Sequence, residues 1–345
     1  MNFDIALMLA QDGIVNGAIY ALLALSTVLV FQITRVIFIP SGTFVAFAAL
    51  TLAALQAGKC PATVWLLVGG GLAVAALDIY QRQWRTCGDL AAILFWNVGY
   101  PLALAALLQV VKTDDWPVLA QGALCCLILV PLGPVMYRLV YAPVVAASVL
   151  VLLIVSIAVD VALVSFGLLV FGSDGMRAPS MIDVDFALGP LTITGQSLVI
   201  LGTSVALIAG LYVFFEHTLE GKALRATAVN RVGARLMGIA TGKSGKRAFA
   251  LAVFIAVCAG LLAAPTTTIY YDTGFLIGLR GLVGAIFGGL ASYPLAALGA
   301  ILLGLIESVS AFEASSFKEV IVFSLLIPVL LARTLLTDDP GHEEE

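Results

Sequence analysis

Residues 238–244 read GIATGKS, glycines followed by lysine and serine, the residue types that cradle a phosphate. A phosphate loop needs G-x-x-x-x-G-K-[ST], with a strand before it and a helix behind it. Here Gly238 and Gly242 stand one residue too close, and the residues before them are helix-forming. Nucleotide hydrolysis by this chain is therefore not expected. Histidine and thiol chemistry fare no better. His217 and His342 are the only histidines, and Cys60, Cys87, Cys125, Cys126 and Cys258 form no CxxC. That leaves neither a zinc set nor a Cys–His nucleophile, and the cysteines read as apolar packing residues.

Three ionisable residues interrupt apolar runs: Asp160 in LIVSIAVDVALVSF, Arg280 in GLRGL and Glu307 in LLGLIESVSAF. Charge at membrane depth is costly and marks a solute or ion pathway. A structural ion pair, or a side chain reaching toward the headgroups, is the plainer alternative for each. A proton relay through Asp160 would make the chain an ion-coupled carrier, but its run holds no second carboxylate.

The elements that must position these groups are membrane helices. Of 345 residues, 61% are hydrophobic and 11% charged, and the mean hydropathy is +1.10. A soluble domain carries about 25% charged residues. Apolar runs fall at 13–33, 36–57, 62–79, 90–111, 118–137, 146–171, 196–215, 248–265, 273–291, 295–312 and 319–336, each near the ~20 residues needed to span a bilayer. They lack the alternation of a membrane β-barrel. The expected fold is an all-α polytopic membrane bundle of about eight to eleven transmembrane helices, some broken or re-entrant. One transmembrane domain would cover 1–337, followed by an acidic tail, 338–345. The N-terminus carries Asp4 and Asp12 and no basic stretch, which does not read as a cleaved signal peptide.

Two runs carry breakers. Pro40-Ser41-Gly42 sits between Phe38 and Phe44, and freed backbone groups at that depth suit a helix that lines a cavity. The glycine-rich run 273–291 reads as re-entrant or discontinuous. Gly281, Gly284, Gly288, Gly289, Gly299 and Gly304 make small-xxx-small spacings that let helices approach closely.

Polar connectors set the topology. Residues 81–89 carry Arg82 and Arg85, 111–117 are mixed, and 172–190 are acidic and rich in glycine and proline, with short extended structure expected from Asp183 to Pro190. Residues 216–247 hold seven of the 17 lysines and arginines: Lys222, Arg225, Arg231, Arg235, Lys243, Lys246 and Arg247. Such an island marks the cytoplasmic side. Within it Leu224, Ala228, Val232 and Leu236 step by four, which predicts an amphipathic helix. It would either dock in a partner's groove or lie on anionic headgroups.

The stretch GKALRATAVNRVGARLMGIATGKSGKRAFALAVFIAVCAGLLAAP resembles the cytoplasmic loop and following helix of permease subunits of branched-chain amino acid (LIV-type) ABC importers. The matching positions are Gly221, Lys222, Ala223, Arg225, Ala226, Ala228, Asn230, Ala234, Leu236, Met237, Gly238 and Ile239. GLRGLVGAIFGGLASYPLAALGAILLGLIES is similar to that family's glycine-rich segment, GAIYALLALSTVLVFQITRVIFIPSG to its first helix pair, and Tyr141-Ala142-Pro143 to its Y-x-P element.

The resemblance implies that 225–239 is a coupling helix seated in an ATP-binding subunit, with Arg225, Asn230, Arg231, Ala234, Arg235, Leu236, Met237 and Gly238 at the contact. It implies a homologous second permease subunit, two cytoplasmic ATPases that bind the ATP and magnesium, and a periplasmic solute-binding protein, in a bacterial inner membrane. No nucleic acid is expected as a partner, and no cofactor or metal in this chain. The cargo would be branched-chain amino acids or related small carboxylates; the alternative is aromatic acids, amides or urea. Phe38, Pro40, Ser41, Gly42 and Thr43, with Asp160, Arg280 and Glu307, are the candidate pathway residues.

The chain also departs from the pattern. FIPSGT (38–43) stands where the family often has N-F-A-[HQ]-G-E, which tilts the expectation toward more apolar or aromatic cargo. Arg280 replaces the usual lysine and Ala291 a common glycine. The basic residues after Pro143 are missing, the C-terminal R-P-x-G-L reads ARTLL, and 76–137 is longer than usual. A stand-alone ion-coupled carrier would need paired intramembrane carboxylates or an inverted repeat. Neither of these is evident. A non-transporting subunit of a membrane enzyme would need haem-type histidines or quinone-site polar clusters, and the two histidines both lie outside the apolar runs.

Overall fold

The computed structural model describes residues 3–81, 87–111, 113, 116–182, 184–188 and 191–336. Arg82 and Arg85, the charges of the 111–117 connector, Asp183 and the acidic tail 338–345 lie outside the described residues. Among the described residues, eight helices are long and apolar enough to cross a membrane. They are α1 (Phe3–Thr34), α3 (Thr63–Tyr80), α4 (Leu90–Val110), α5 (Val118–Val144), α6 (Val149–Phe171), α7 (Gly195–His217), α10 (Thr241–Ala263) and α12 (Tyr293–Glu313). Two apolar helices are shorter, α2 (Ser41–Gln56) and α11 (Thr273–Phe287). At 1.5 Å per residue each covers about 22–24 Å, less than the ~30 Å hydrocarbon core. Between α7 and α10 lie α8 (Leu219–Val229) and α9 (Arg231–Leu236), and after α12 come α13 (Lys318–Ser324) and α14 (Leu326–Leu336).

The expected break near Pro40 is present, and it starts earlier. α1 ends at Thr34, whose hydroxyl turns back to the Val30 carbonyl at 2.7 Å. Arg35 then takes a left-handed conformation, φ 62°. Residues 35–40 run without helix until α2 begins after Pro40. Pro40 has no N–H to orphan there, and it disfavours helix at the residue before it. α2 is enclosed by protein, with every residue from Ser41 to Leu52 buried. Its first turn meets α11 backbone to backbone: a Cβ on Gly42 would collide with Gly274 and Gly278. Only glycines permit that approach.

α1 and α12 lie along each other, Gly13 and Gly17 meeting Leu305, Gly304 and Ile301. α10 closes the centre: the Ser26 hydroxyl of α1 donates to the Ala252 carbonyl at 3.0 Å, and Phe38 packs edge-on to Phe249, ring centroids 5.0 Å apart. In contrast, α6 buries only Leu152, Ser156, Asp160 and Gly167, and α7 only Gly195, Gln196, Ile200 and Ser204. Both otherwise face outward, as helices in lipid or against another subunit do.

Of the extended structure expected over 183–190, residues 185–188 form β1 (Asp185–Leu188), which pairs antiparallel with β2 (Leu191–Thr194), Asp185 opposite Thr194; Gly189 and Pro190 lie outside the described residues. The adjoining loop bridges Met176 to Ile269, and the Ala178 N–H donates to the Ala264 carbonyl beyond the end of α10. That end of the bundle is opposite the basic island. Two expectations are corrected. The run 319–336 is not one helix but α13 and α14, separated at Leu325. The run 36–57 is not a full span, because its first residues are spent on the return from Arg35.

Candidate functional site

The basic island does not form one amphipathic helix over 225–239. It is α8 and α9, broken at Asn230, which is extended (φ −149°, ψ 104°). The side chains explain the break. Thr218 caps α8 by accepting from the Gly221 N–H at 2.9 Å, and Asn230 caps α9 by accepting from the Gly233 N–H at 2.8 Å. Asparagine and threonine stabilise a helix start in this way and compete with helix continuation. The four-residue apolar step is consequently split. Leu224 is buried, whereas Val232 and Leu236 are 69% and 83% exposed.

After α9 the chain turns through Gly238 at φ 82° and re-enters helix at Thr241. GIATGKS thus links two helices, and no strand precedes it. Val229, Val232, Leu236 and Met237 are all strongly exposed on the loop, whereas Arg231 is half-buried. Beside them Lys222, Asn230, Gly233 and Ala234 line a shallow groove of about 450 Å³. Other cations hold the loop's shape. Arg225 pairs with Glu216 at 2.6 Å, Arg247 with Glu220 at 2.7 Å, and the Arg235 Nε donates to the Thr241 hydroxyl at 3.0 Å. Sequence reasoning passed over Glu216, Glu220, Thr218 and Thr241. Thr218 three positions before Gly221, and Asn230 three before Gly233, were the available signals for the caps.

The intramembrane candidates separate into two groups. Arg280 and Glu307 are brought together at 3.3 Å, and both are nearly enclosed. Glu307 also meets Lys318 at 3.0 Å, while Arg280 donates to the Tyr20 hydroxyl at 3.1 Å and lies 3.8 Å from Glu319. The group ties α1, α11, α12 and α13. Lys318 and Tyr20 were not anticipated, because no spacing in sequence links them to Arg280. Asp160 stands apart. Its carboxylate accepts from the Thr43 hydroxyl, and one turn back on α6 Ser156 shares a 3.1 Å hydrogen bond with Tyr141. Phe38, Pro40, Ser41, Gly42 and Thr43 are all buried against neighbouring helices. Phe38 packs against Phe249 and Phe44.

The family described as "Branched-chain amino acid transport system / permease component" matches residues 89–330. The chain belongs to this permease family.

Individual relatives agree. The high-affinity branched-chain amino acid transport system permease protein LivH of Salmonella typhimurium is 29% identical over 239 residues, covering 67% of this chain and 77% of its own. LivH of Escherichia coli is 28% identical over the same length. BraD of Pseudomonas aeruginosa is 29% identical over 247 residues, covering 68% of this chain and 80% of its own. No solved structure matches this permease significantly. The family match takes in α4 to α13, and with them the capped loop and the Arg280–Glu307 pair. It begins after the break at residues 35–40. The chain is a multi-pass membrane transport component and not an enzyme.

Proposed function

We propose that the permease is the membrane subunit of an ATP-driven importer that carries branched-chain amino acids, or related small carboxylate solutes, into a bacterial cell across the inner membrane. The carrying observation is the capped loop between α7 and α10. It presents an apolar, basic-edged surface centred on Val232, Leu236 and Met237 at the end of the bundle that the positive-inside rule assigns to the cytoplasm. A loop held rigid by two caps and two ion pairs, yet left bare on its outer face, suits a docking element. An ATP-binding subunit would seat it, bind the ATP and magnesium, and transmit its closure as a rigid-body push on the bundle. The names of the relatives support the cargo class.

The assembly would contain a homologous second permease subunit, two cytoplasmic ATPases and a periplasmic solute-binding protein. The outward faces of α6 and α7 are free for lipid or for that second subunit. Asp160 with Thr43, and Arg280 with Glu307, would border the translocation path and shift as α2 and α11 move. The test is co-purification of the full chain with a co-expressed ATP-binding subunit. It is retained by the native loop and lost with Leu236→Glu, at a position 83% exposed; retention by that variant at native yield would contradict the docking role.

A further inference from the structure

Both residues with positive φ other than glycine, among the described residues, are Arg35 and Leu290, and both line one groove. Left-handed backbone at such residues is strained and persists where the surroundings enforce it, often at ligand clamps. The groove measures about 720 Å³, within the range of ~300–1,000 Å³ typical of small-molecule sites. It is a wedge between the last turns of α1 and α7, the first turn of α12 and the side of α8. Two helix breaks therefore meet there: Arg35 after α1 and Gly289–Leu290 before α12.

Its walls are apolar, with Phe31, Ile33, Leu211, Phe215, Leu224 and Ala297 contributing. Three polar groups in the wall, Gln32, Glu216 and Arg225, are already committed. Gln32 donates to the Ala291 carbonyl, and Glu216 pairs with Arg225. Arg35 differs from them. It is exposed at the mouth, over the Phe31 ring at 5.8 Å, with no carboxylate partner among the described residues. Tyr212 and Tyr293 also line the groove, and tyrosine is enriched where hydrocarbon meets headgroups.

An amino acid would need a carboxylate acceptor for its ammonium, and the one carboxylate here is paired. An acyl chain needs no polar partner, and a phosphate needs one cation at the interface. We propose that this groove holds one anionic phospholipid, its chain along Phe31 and Leu211 and its phosphate on Arg35. Seated there, the lipid bears on α8 and on the breaks flanking α1 and α12, the parts that connect the basic loop to the bundle.

The experiment is native mass spectrometry of the detergent-purified full chain with added phosphatidylglycerol or phosphatidylcholine. The native chain should retain one phosphatidylglycerol in about fivefold preference, the ratio expected from one interfacial cation. Arg35→Asn, which tolerates the left-handed conformation, should erase the preference, and Ala297→Trp should expel both lipids. Lys243→Asn, outside the groove, should leave the preference intact. Equal retention of the two lipids by the native chain, an undiminished preference in Arg35→Asn, or a lipid-free dimer would overturn the assignment.

Discussion

Thr43 donates its hydroxyl hydrogen bond to the carboxylate of Asp160, 117 positions away, and so joins the first turn of α2 to the middle of α6. α6 is otherwise apolar and faces outward, and on it Asp160 and Ser156 are the buried polar positions. This contact is the polar tether between the outlying helix and the broken helix pair at the centre.

Asp160→Leu should leave the Thr43 hydroxyl without its partner and cost about 1–3 kcal/mol, read as a lower melting temperature of the purified chain. Asp160→Asn still offers Thr43 an acceptor and should melt near the native value. If the carboxylate charge serves transport, Asp160→Asn should nevertheless take up solute poorly. Native uptake by Asp160→Asn would reduce the residue to a tether.

Arg280 and Glu307 invite a paired test. Arg280→Met should destabilise by about 3–5 kcal/mol, because it leaves Glu307 buried with only Lys318 to answer it. The double variant Arg280→Met with Glu307→Leu should recover most of that loss, since apolar replacements of a buried pair are tolerated. Unfolding of both variants side by side measures the difference, and equal losses would mean that the pair is not coupled.

Gly42 has no room for a side chain between α2 and α11. Gly42→Ala should force the helices apart at a cost of about 1–3 kcal/mol, whereas Gly69→Ala on α3, with nothing within 4 Å of its Cβ position, should be nearly neutral. Thermal melts of the two variants check the contrast.

Asn230→Ala removes the cap of α9 and should cost about 1 kcal/mol locally. Because α9 has only six residues, its orientation should suffer more than the whole fold. Solute-stimulated ATP hydrolysis by the assembled importer should fall, with little change in the melting temperature of the chain, and Asn230→Asp should restore it.

The sequence carried the membrane architecture and the basic loop clearly, because runs of about twenty apolar residues and clustered cations act locally. The broken entry to α2 was visible in Pro40 and Gly42, but its start at Arg35 was not. A left-handed arginine is fixed by the packing around it and has no signature in the chain. The break at Asn230 was hidden by the apolar step from Leu224 to Leu236, which presumed a continuous helix. Asn230 itself was the clue, followed three positions later by Gly233, whose N–H it caps. The partners of Arg280 and Asp160 come from remote helices, and no spacing rule reaches across such separations.

The most direct test of the account is ATP-driven uptake of a branched-chain amino acid by proteoliposomes holding the complete importer, comparing the native permease with Met237→Arg. Met237 is 84% exposed on the loop, so the variant should fold, insert and keep its melting temperature. The account predicts that uptake and solute-stimulated ATP hydrolysis both collapse; native rates for both in Met237→Arg would contradict it.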